Sequence, residues 1–438
     1  MQKKVIALAI AGLFSGAAFA QSPLAPVPSG PTSVGLYGII DVGVVMDNAG
    51  FGNKTVVTSG GGAGSRIGLR ANEDLGNGLS AILLLESGIQ LDTGVVGGTA
   101  QAPGVNRAQV GSAFGGTFTN SAATGSQLIS RQAFAGLSSK TMGGLMFGRQ
   151  YSPMVATYAA IDTAGLAHGN TMFATFAYLP GYTTRQNNVA SYMSPKFFDG
   201  VTVEVVLGSG NENNVQGDDL TLGSSDKGGR LSGLDVNYNK GPLNLSAAYQ
   251  ELNANTAITA AQTQVIKNRG WVVGGNYNFG MFTLYAGYGQ GKERNRAGTG
   301  LVYPTPAVAP AVNAPLLIPQ EANAWHIGVN VPAGTGNLMV AYSKLRDKTA
   351  NVTGADFQTF GVAYRYPLSK RTRLNFGYTK GTNDQNAARI LIGGGDTSAM
   401  VMGPAGTPPG GAATVVPGAA SKAGFDPSRW DFGITHSF

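Results

Sequence analysis

The segment RGWVVGGNYNFGMFTLYAGYGQG, Arg269 to Gly291, decides the fold. Trp271, Val273, Gly275, Tyr277 and Phe279 alternate with Val272, Gly274, Asn276 and Asn278. Beyond the hinge Asn278-Phe279-Gly280-Met281, Phe282, Leu284, Ala286 and Tyr288 alternate with Thr283, Tyr285, Gly287 and Gly289. A period of two is that of a β-strand, so the segment is a hairpin. One face is large and apolar, and the other is small or polar. A soluble sandwich would alternate in the same way with its apolar face in a core, so alternation alone does not choose between sandwich and membrane barrel.

Working outward, the same pattern predicts sixteen strands of roughly ten residues, the length a tilted membrane strand requires. They are Val34–Met46, Ser65–Asn72, Leu79–Gln90, Arg131–Ser138, Gly144–Gln150, Arg185–Ser194, Val201–Gly208 and Arg230–Tyr238 in the first half. The second half holds Leu243–Leu252, Arg269–Phe279, Met281–Gly291, Ala322–Val331, Asn337–Leu345, Asp356–Tyr366, Thr372–Gly381 and Arg429–Phe438. Their joints are read as alternating strictly between short and long. Glu73 to Gly78, Asn239 to Pro242, Pro332 to Gly336 and Pro367 to Arg371 are turn-like, whereas the long joints reach Thr382 to Ser428. Short turns on one side and long loops on the other are the pattern of an outer-membrane barrel. Aromatic residues near strand ends, among them Tyr277, Phe279, Tyr288, Tyr366 and Trp430, fit two interfacial girdles.

Composition agrees. Lys3 and Lys4, the apolar run Val5–Gly16 and Ala18-Phe19-Ala20 form a secretory signal over residues 1–20, followed by a Pro-rich leader over 21–33 and a barrel over 34–438. Without the signal's two lysines, 28 basic residues face 23 acidic ones, a modest excess that argues against a nucleic-acid partner. Charged residues are 12% of the chain, against ~25% in soluble domains. Glycine fills 66 of 438 positions, about twice its usual share of ~7%. There is no cysteine, so backbone ladders rather than disulfides hold an exported chain. No apolar run after the signal approaches the ~18–20 residues of a spanning helix, and prolines interrupt Val308–Pro319. An exported, weakly charged chain without helical spans points to an all-β, sixteen-stranded antiparallel transmembrane barrel.

The residues also resemble a family. Leu36-Tyr37-Gly38-Ile39-Ile40-Asp41 is similar to the first strand of the trimeric Gram-negative porins of the β-proteobacterial type. The block Ser65-Arg66-Ile67-Gly68-Leu69-Arg70 through Glu73-Asp74-Leu75-Gly76, with Leu85-Glu86 after it, resembles that family's second and third strands. Arg131-Gln132-Ala133-Phe134-Ala135-Gly136-Leu137, Phe147-Gly148-Arg149-Gln150, Asn188-Val189 and the terminal Phe438 extend the likeness over nearly the whole mature chain. The resemblance implies an outer-membrane homotrimer among lipid and lipopolysaccharide. It also implies a third loop folded into each barrel and a terminal strand, ending at Phe438, read by the outer-membrane assembly machinery. The chain departs from the family in its leader and in two long Pro/Gly-rich joints, 292–321 and 382–428.

The constricting loop is expected over 151–184, a stretch without alternation that holds Asp162, His168 and several aromatics. Arg66 and Arg70 lie four apart on one strand and share a face. Charge facing lipid costs roughly 2–4 kcal/mol at the midplane, so both are placed in the lumen. Resemblance to anion-selective members carries Arg66, Arg131 and Arg185 over as a basic constriction, although strand parity puts Arg131 on the wrong face unless the backbone is locally irregular. Arg149, Arg365 and Arg373 are further candidates, with snorkelling to the interface as the alternative for Arg149 and Arg373. Passive diffusion with anion preference follows. The rivals are a sugar or organic-acid channel with Phe173, Phe176, Tyr178 and Tyr182 as an aromatic track, and a surface adhesin. No cofactor or metal is expected, and neither is an enzyme, since no Gly-x-Ser-x-Gly occurs and His326 has no partner legible in the sequence.

Overall fold

A computed structural model describes residues 32–48, 52–96, 128–166, 171–209, 230–259, 262–294, 319–350, 352–387, 389, 391 and 424–438. The signal and most of the leader, His168, and most of 292–321 and 382–428 lie outside the described residues. The strands close into one antiparallel barrel of sixteen. β1 is Ser33–Asn48, and β2 comprises two segments, Asn53–Ser59 and Arg66–Gly76. β3 to β8 are Leu79–Gln90, Gln132–Ser139, Gly143–Tyr151, Arg185–Met193, Val201–Gly208 and Leu231–Lys240. β9 to β16 are Leu243–Thr259, Gln262–Asn278, Thr283–Arg294, Glu321–Ala333, Gly336–Asp347, Phe357–Pro367, Thr372–Asn383 and Ser428–Ser437. A further two-residue pairing, Val95–Val96, extends β3 on the loop side.

Closure is made by β1 and β16, which pair from Ile39 opposite Ser437 to Asn48 opposite Ser428. Gly38 and Phe438 exchange both backbone hydrogen bonds at 3.1 Å, which carries the ladder to the last residue. A closed sheet leaves no backbone donor or acceptor facing hydrocarbon. Alternation behaves as the sequence requires. On β12, Ala324 and His326 are buried inward while Ile327 is exposed outward.

Two readings are corrected and one is given detail. The second strand begins at Asn53 rather than Ser65, because the run Gly60–Gly64 makes an inward excursion between two segments that both pair with β1. Joints do not alternate strictly in length. The loop-side connections Asn48 to Asn53 and Thr259 to Gln262 are short, since β9 and β10 keep pairing beyond Leu252 and Asn268, residues whose polar sequence hid the ladder. Finally, the stretch 152–184 contains α1, Pro153–Ile161, and α2, Thr171–Phe176. Proline at the first helical position is favourable because its missing N–H would be unpaired there anyway.

Both helices lie inside the barrel against β7 to β14. An apolar cluster of Met154, Val155, Tyr158, Ile161, Phe173, Phe176, Tyr178 and Tyr182 packs between loop and wall, and this is the molecule's main core. The wall beneath is shaped by absent side chains. An added Cβ would lie 2.6 Å from Ile161 Cδ1 at Gly287, 2.7 Å from Met154 Sδ at Gly270 and 2.8 Å from Pro153 Cγ at Gly233. At Gly328 it would collide with Thr163 Oγ1. The lumen-facing glycines of the alternating pattern are therefore a negative image of the loop.

Candidate functional site

The wall beside the docked loop carries a compact charged cluster. Arg131 Nε donates to Glu86 at 2.7 Å, and Arg66 Nη1 approaches the same carboxylate to 3.9 Å. Tyr37 adds its hydroxyl proton to Glu86 at 2.9 Å. Arg131 Nη2 and Arg185 Nη2 both donate to the Tyr151 hydroxyl oxygen, at 2.7 and 3.0 Å, and the Arg185 guanidinium lies 4.6 Å over the Tyr151 ring. Three guanidiniums thus surround one carboxylate and one phenol, leaving a local excess of two positive charges. Tyr151 is the last residue of β5, so the cluster sits at the root of the inward loop.

Each arginine has an identifiable local cause. Arg66 opens the second segment of β2, and its Nε donates to Gly64 O at 2.9 Å, so the glycine excursion orients it. Asp41 holds that excursion by accepting the Gly62 N–H at 2.8 Å. Arg131 lies in a bend before β4. Its N–H donates to Glu86 O at 3.0 Å while Gln132 is the register partner of Glu86, so two residues oppose one. That extra residue turns Arg131 inward and supplies the irregularity its parity demanded. Arg185 opens β6 opposite Tyr151.

The other candidates lie elsewhere. Arg70 shares the inward face of β2 but sits further toward the short-turn end, exposed, with its guanidinium 5.0 Å over the Tyr37 ring. Asp162 ends α1, buried, and its carboxylate accepts the N–H of Leu166 at 2.7 Å and of Ala164 at 3.3 Å, which fixes the loop's own turn. Arg365 donates to Ala164 O and anchors that turn to β14. Arg373 reaches Gly62 O at 3.4 Å and Asn375 at 3.2 Å within the lumen, and Arg149 donates to Ser130 O at 2.9 Å near the loop-side end of β5. The structure therefore gathers Arg66, Arg131 and Arg185 and leaves Arg70 and Asp162 apart from them. Sequence reading missed Glu86 and Tyr151 as the centre, although Glu86 is a charge at a lumen parity on an apolar strand.

The loop is fixed by polar anchors as well as by packing. Gln250 accepts the Met154 N–H at 3.1 Å and donates to Gly181 O at 2.6 Å, clamping both arms of the loop. His326, without a partner legible in the sequence, bonds Thr163 Oγ1 at 2.9 Å and Ser343 Oγ at 2.8 Å. Replacing Gln250 with leucine leaves two buried backbone groups unpaired, each costing about 1–3 kcal/mol. Single-channel recordings of that variant should show markedly noisier current with the ion preference retained; quiet, wild-type current would move loop anchoring elsewhere. The four aromatics considered for a sugar track are engaged in the core. Tyr158 and Tyr182 stack at 5.1 Å, and Phe173 and Phe176 meet this pair edge-on.

A family model described as Gram-negative porin matches residues 7–386. An outer membrane porin protein of Bordetella pertussis is 29% identical over 89% of this chain and 95% of its own. Outer membrane porin protein 32 of Delftia acidovorans is 28% identical over 85% of this chain and 88% of its own. Among solved structures, an anion-selective porin from Comamonas acidovorans shares the fold with a TM-score of 0.65 at 22% identity, covering 93% of this chain and all of that one.

Proposed function

The chain belongs to the Gram-negative porin family, and from that premise we propose that its pore favours small hydrophilic anions at a constriction made by Arg66, Arg131 and Arg185. Outer-membrane location and passive diffusion through a β-barrel come with the family. The observation that carries the anion preference is the convergence of three guanidiniums on a single carboxylate at the loop root. Fixed charge in a narrow polar passage attracts counter-ions and repels like ions. The anion-selective barrel of the same fold is consistent with this choice. Arg70 and Arg373 extend the positive face toward the periplasmic side.

Guanidinium remains charged at every relevant pH, so the preference should be constant from pH 6 to 9. Reversal potentials across a salt gradient over that range provide the check. A midpoint near 6.5 would assign the selectivity to a histidine instead.

The remaining features follow the same reading. Residues 1–20 direct export, and the mature chain starts at Gln21 with its Pro-rich leader before the barrel. The outward faces of β1, β3, β4, β5 and β7 carry Val44, Leu85, Leu137, Phe147 and Leu207, a surface suited to neighbouring barrels of a homotrimer. Conductance arriving in steps of three would support the trimer, and uniform single steps would oppose it. Phe438, paired to Gly38, closes the strand that the assembly machinery reads. A channel needs no catalytic group or cofactor, and His326 serves as a loop anchor.

A further inference from the structure

The loop inside the barrel is gripped by a second loop as well as by the wall. The last long joint leaves β15 at Asn383, and two of its described residues, Arg389 and Leu391, are buried. Its root is tied into a compact knot. Asn383 Oδ1 accepts the Arg389 N–H at 2.9 Å, while Asn383 Nδ2 donates to Arg389 O at 2.8 Å and to Phe425 O at 2.6 Å. The Gly424 N–H donates to Ala387 O at 2.8 Å, which joins the outgoing and returning arms of the joint.

From this knot one cation reaches the inward loop. Arg389 pairs with Asp347 at 2.8 Å, and the two side chains are 0% and 1% exposed. Its Nη1 also donates to Ala355 O. Asp347 ends β13 on the inward face, two residues beyond Leu345, and accepts the Thr349 N–H at 2.9 Å. The Arg389 guanidinium lies 5.8 Å over the ring of Tyr178, which follows α2 on the return arm of the inward loop. Tyr178 meets Phe357 edge-on at 6.2 Å, and Leu391 joins both in the apolar core.

Asp347 neutralises Arg389, so this arginine adds nothing to the charge that selects ions. What it supplies is position. Gln250, His326 and Arg365 hold the inward loop from the barrel wall, whereas Arg389 holds it from the last joint. A desolvated guanidinium over an aromatic face is a directional contact, and its placement here is fixed by an ion pair and by the knot behind it.

We propose that Arg389 is a positioning residue for the constriction: it pins Tyr178 beneath the root of the last joint and so couples the extracellular surface to the loop that narrows the pore. The inference rests on the reading of 151–184 as the constricting loop.

The test uses the full-length porin in planar bilayers, with closures counted at one fixed voltage and the zero-current potential measured alongside. Arg389→Met is combined with Asp347→Asn, so that no buried carboxylate is left unpaired. Closures should become about fivefold more frequent, the size expected for loss of one cation–π contact, with the zero-current potential unchanged. Arg389→Lys keeps the pair without the planar stacking and should fall between the two; it carries the test alone if the double variant does not assemble. In a Tyr178→Leu background the Arg389 substitutions should add nothing further, because the contact they remove is already gone. Additive effects in that background, or wild-type closure frequency in the Arg389 variants, would overturn the proposal. A cation-signed potential in the wild type would defeat the anion reading and leave this test intact.

Discussion

Replacing Arg131 with alanine should move the pore from anion preference toward cation preference. Arg131 contacts both Glu86 and Tyr151 directly, at 2.7 Å each. Its loss removes a positive charge and also takes from Glu86 the guanidinium that bonds it at 2.7 Å, leaving Arg66 at 3.9 Å and the Tyr37 hydroxyl among its partners. A unit charge about 4 Å from a passing ion is worth ~1 kcal/mol in water, or roughly fivefold in relative permeability. Freeing a carboxylate acts in the same direction, so the combined change should exceed fivefold. Arg131→Lys keeps the charge but not the forked geometry and should retain most of the preference. Glu86→Gln should strengthen it. Reversal potentials for the three variants separate these cases. If Arg131→Ala and Glu86→Gln shift the potential in the same direction, the electrostatic account of the cluster is wrong.

A comparable effect is expected from a residue that carries no charge. Gly328→Val places a branched side chain where a single Cβ already meets Thr163 Oγ1. The wall cannot yield easily, because β12 is paired on both sides to β11 and β13. The loop must lift, breaking the Thr163–His326 hydrogen bond at 2.9 Å and loosening the Ile161 contacts with Gly287. Overpacking of this kind costs about 1–3 kcal/mol. A lifted loop moves into the open part of the lumen, so conductance should fall with added flicker while the barrel still assembles. Gly35, with nothing within 4 Å of an added Cβ, is the control position. Equal conductance for Gly328→Val and wild type would mean that the loop does not rely on this contact.

These two residues show where sequence reading succeeds and fails. Alternation with an outward apolar face is a local property, so β3 at Leu79–Gln90 and β7 at Val201–Gly208 could be bounded to the residue. The Gly60–Gly64 excursion broke the period and hid the upper half of β2. The extension of β9 and β10 carries polar side chains outside the hydrocarbon layer, where lipid imposes no pattern. Arg66 was legible as a lumen-facing charge from the face it shares with Arg70, and Arg185 entered through the family resemblance. Arg131 needed a bulge, which is a property of pairing between two strands and has no signature in one. Glu86 stands at a lumen parity on an apolar strand, a signal that went unread, and only the fold brings it between arginines 20 and 45 positions away and matches each lumen glycine to the loop atom above it.

The arginine cluster should make the pore anion-preferring. The most direct measurement is the zero-current potential of the wild-type protein in a planar bilayer across a potassium chloride gradient at neutral pH. A potential of the sign set by chloride, reduced in Arg66→Ala, is the predicted result. A potential of the sign set by potassium, or none at all, would contradict it while leaving the barrel in place.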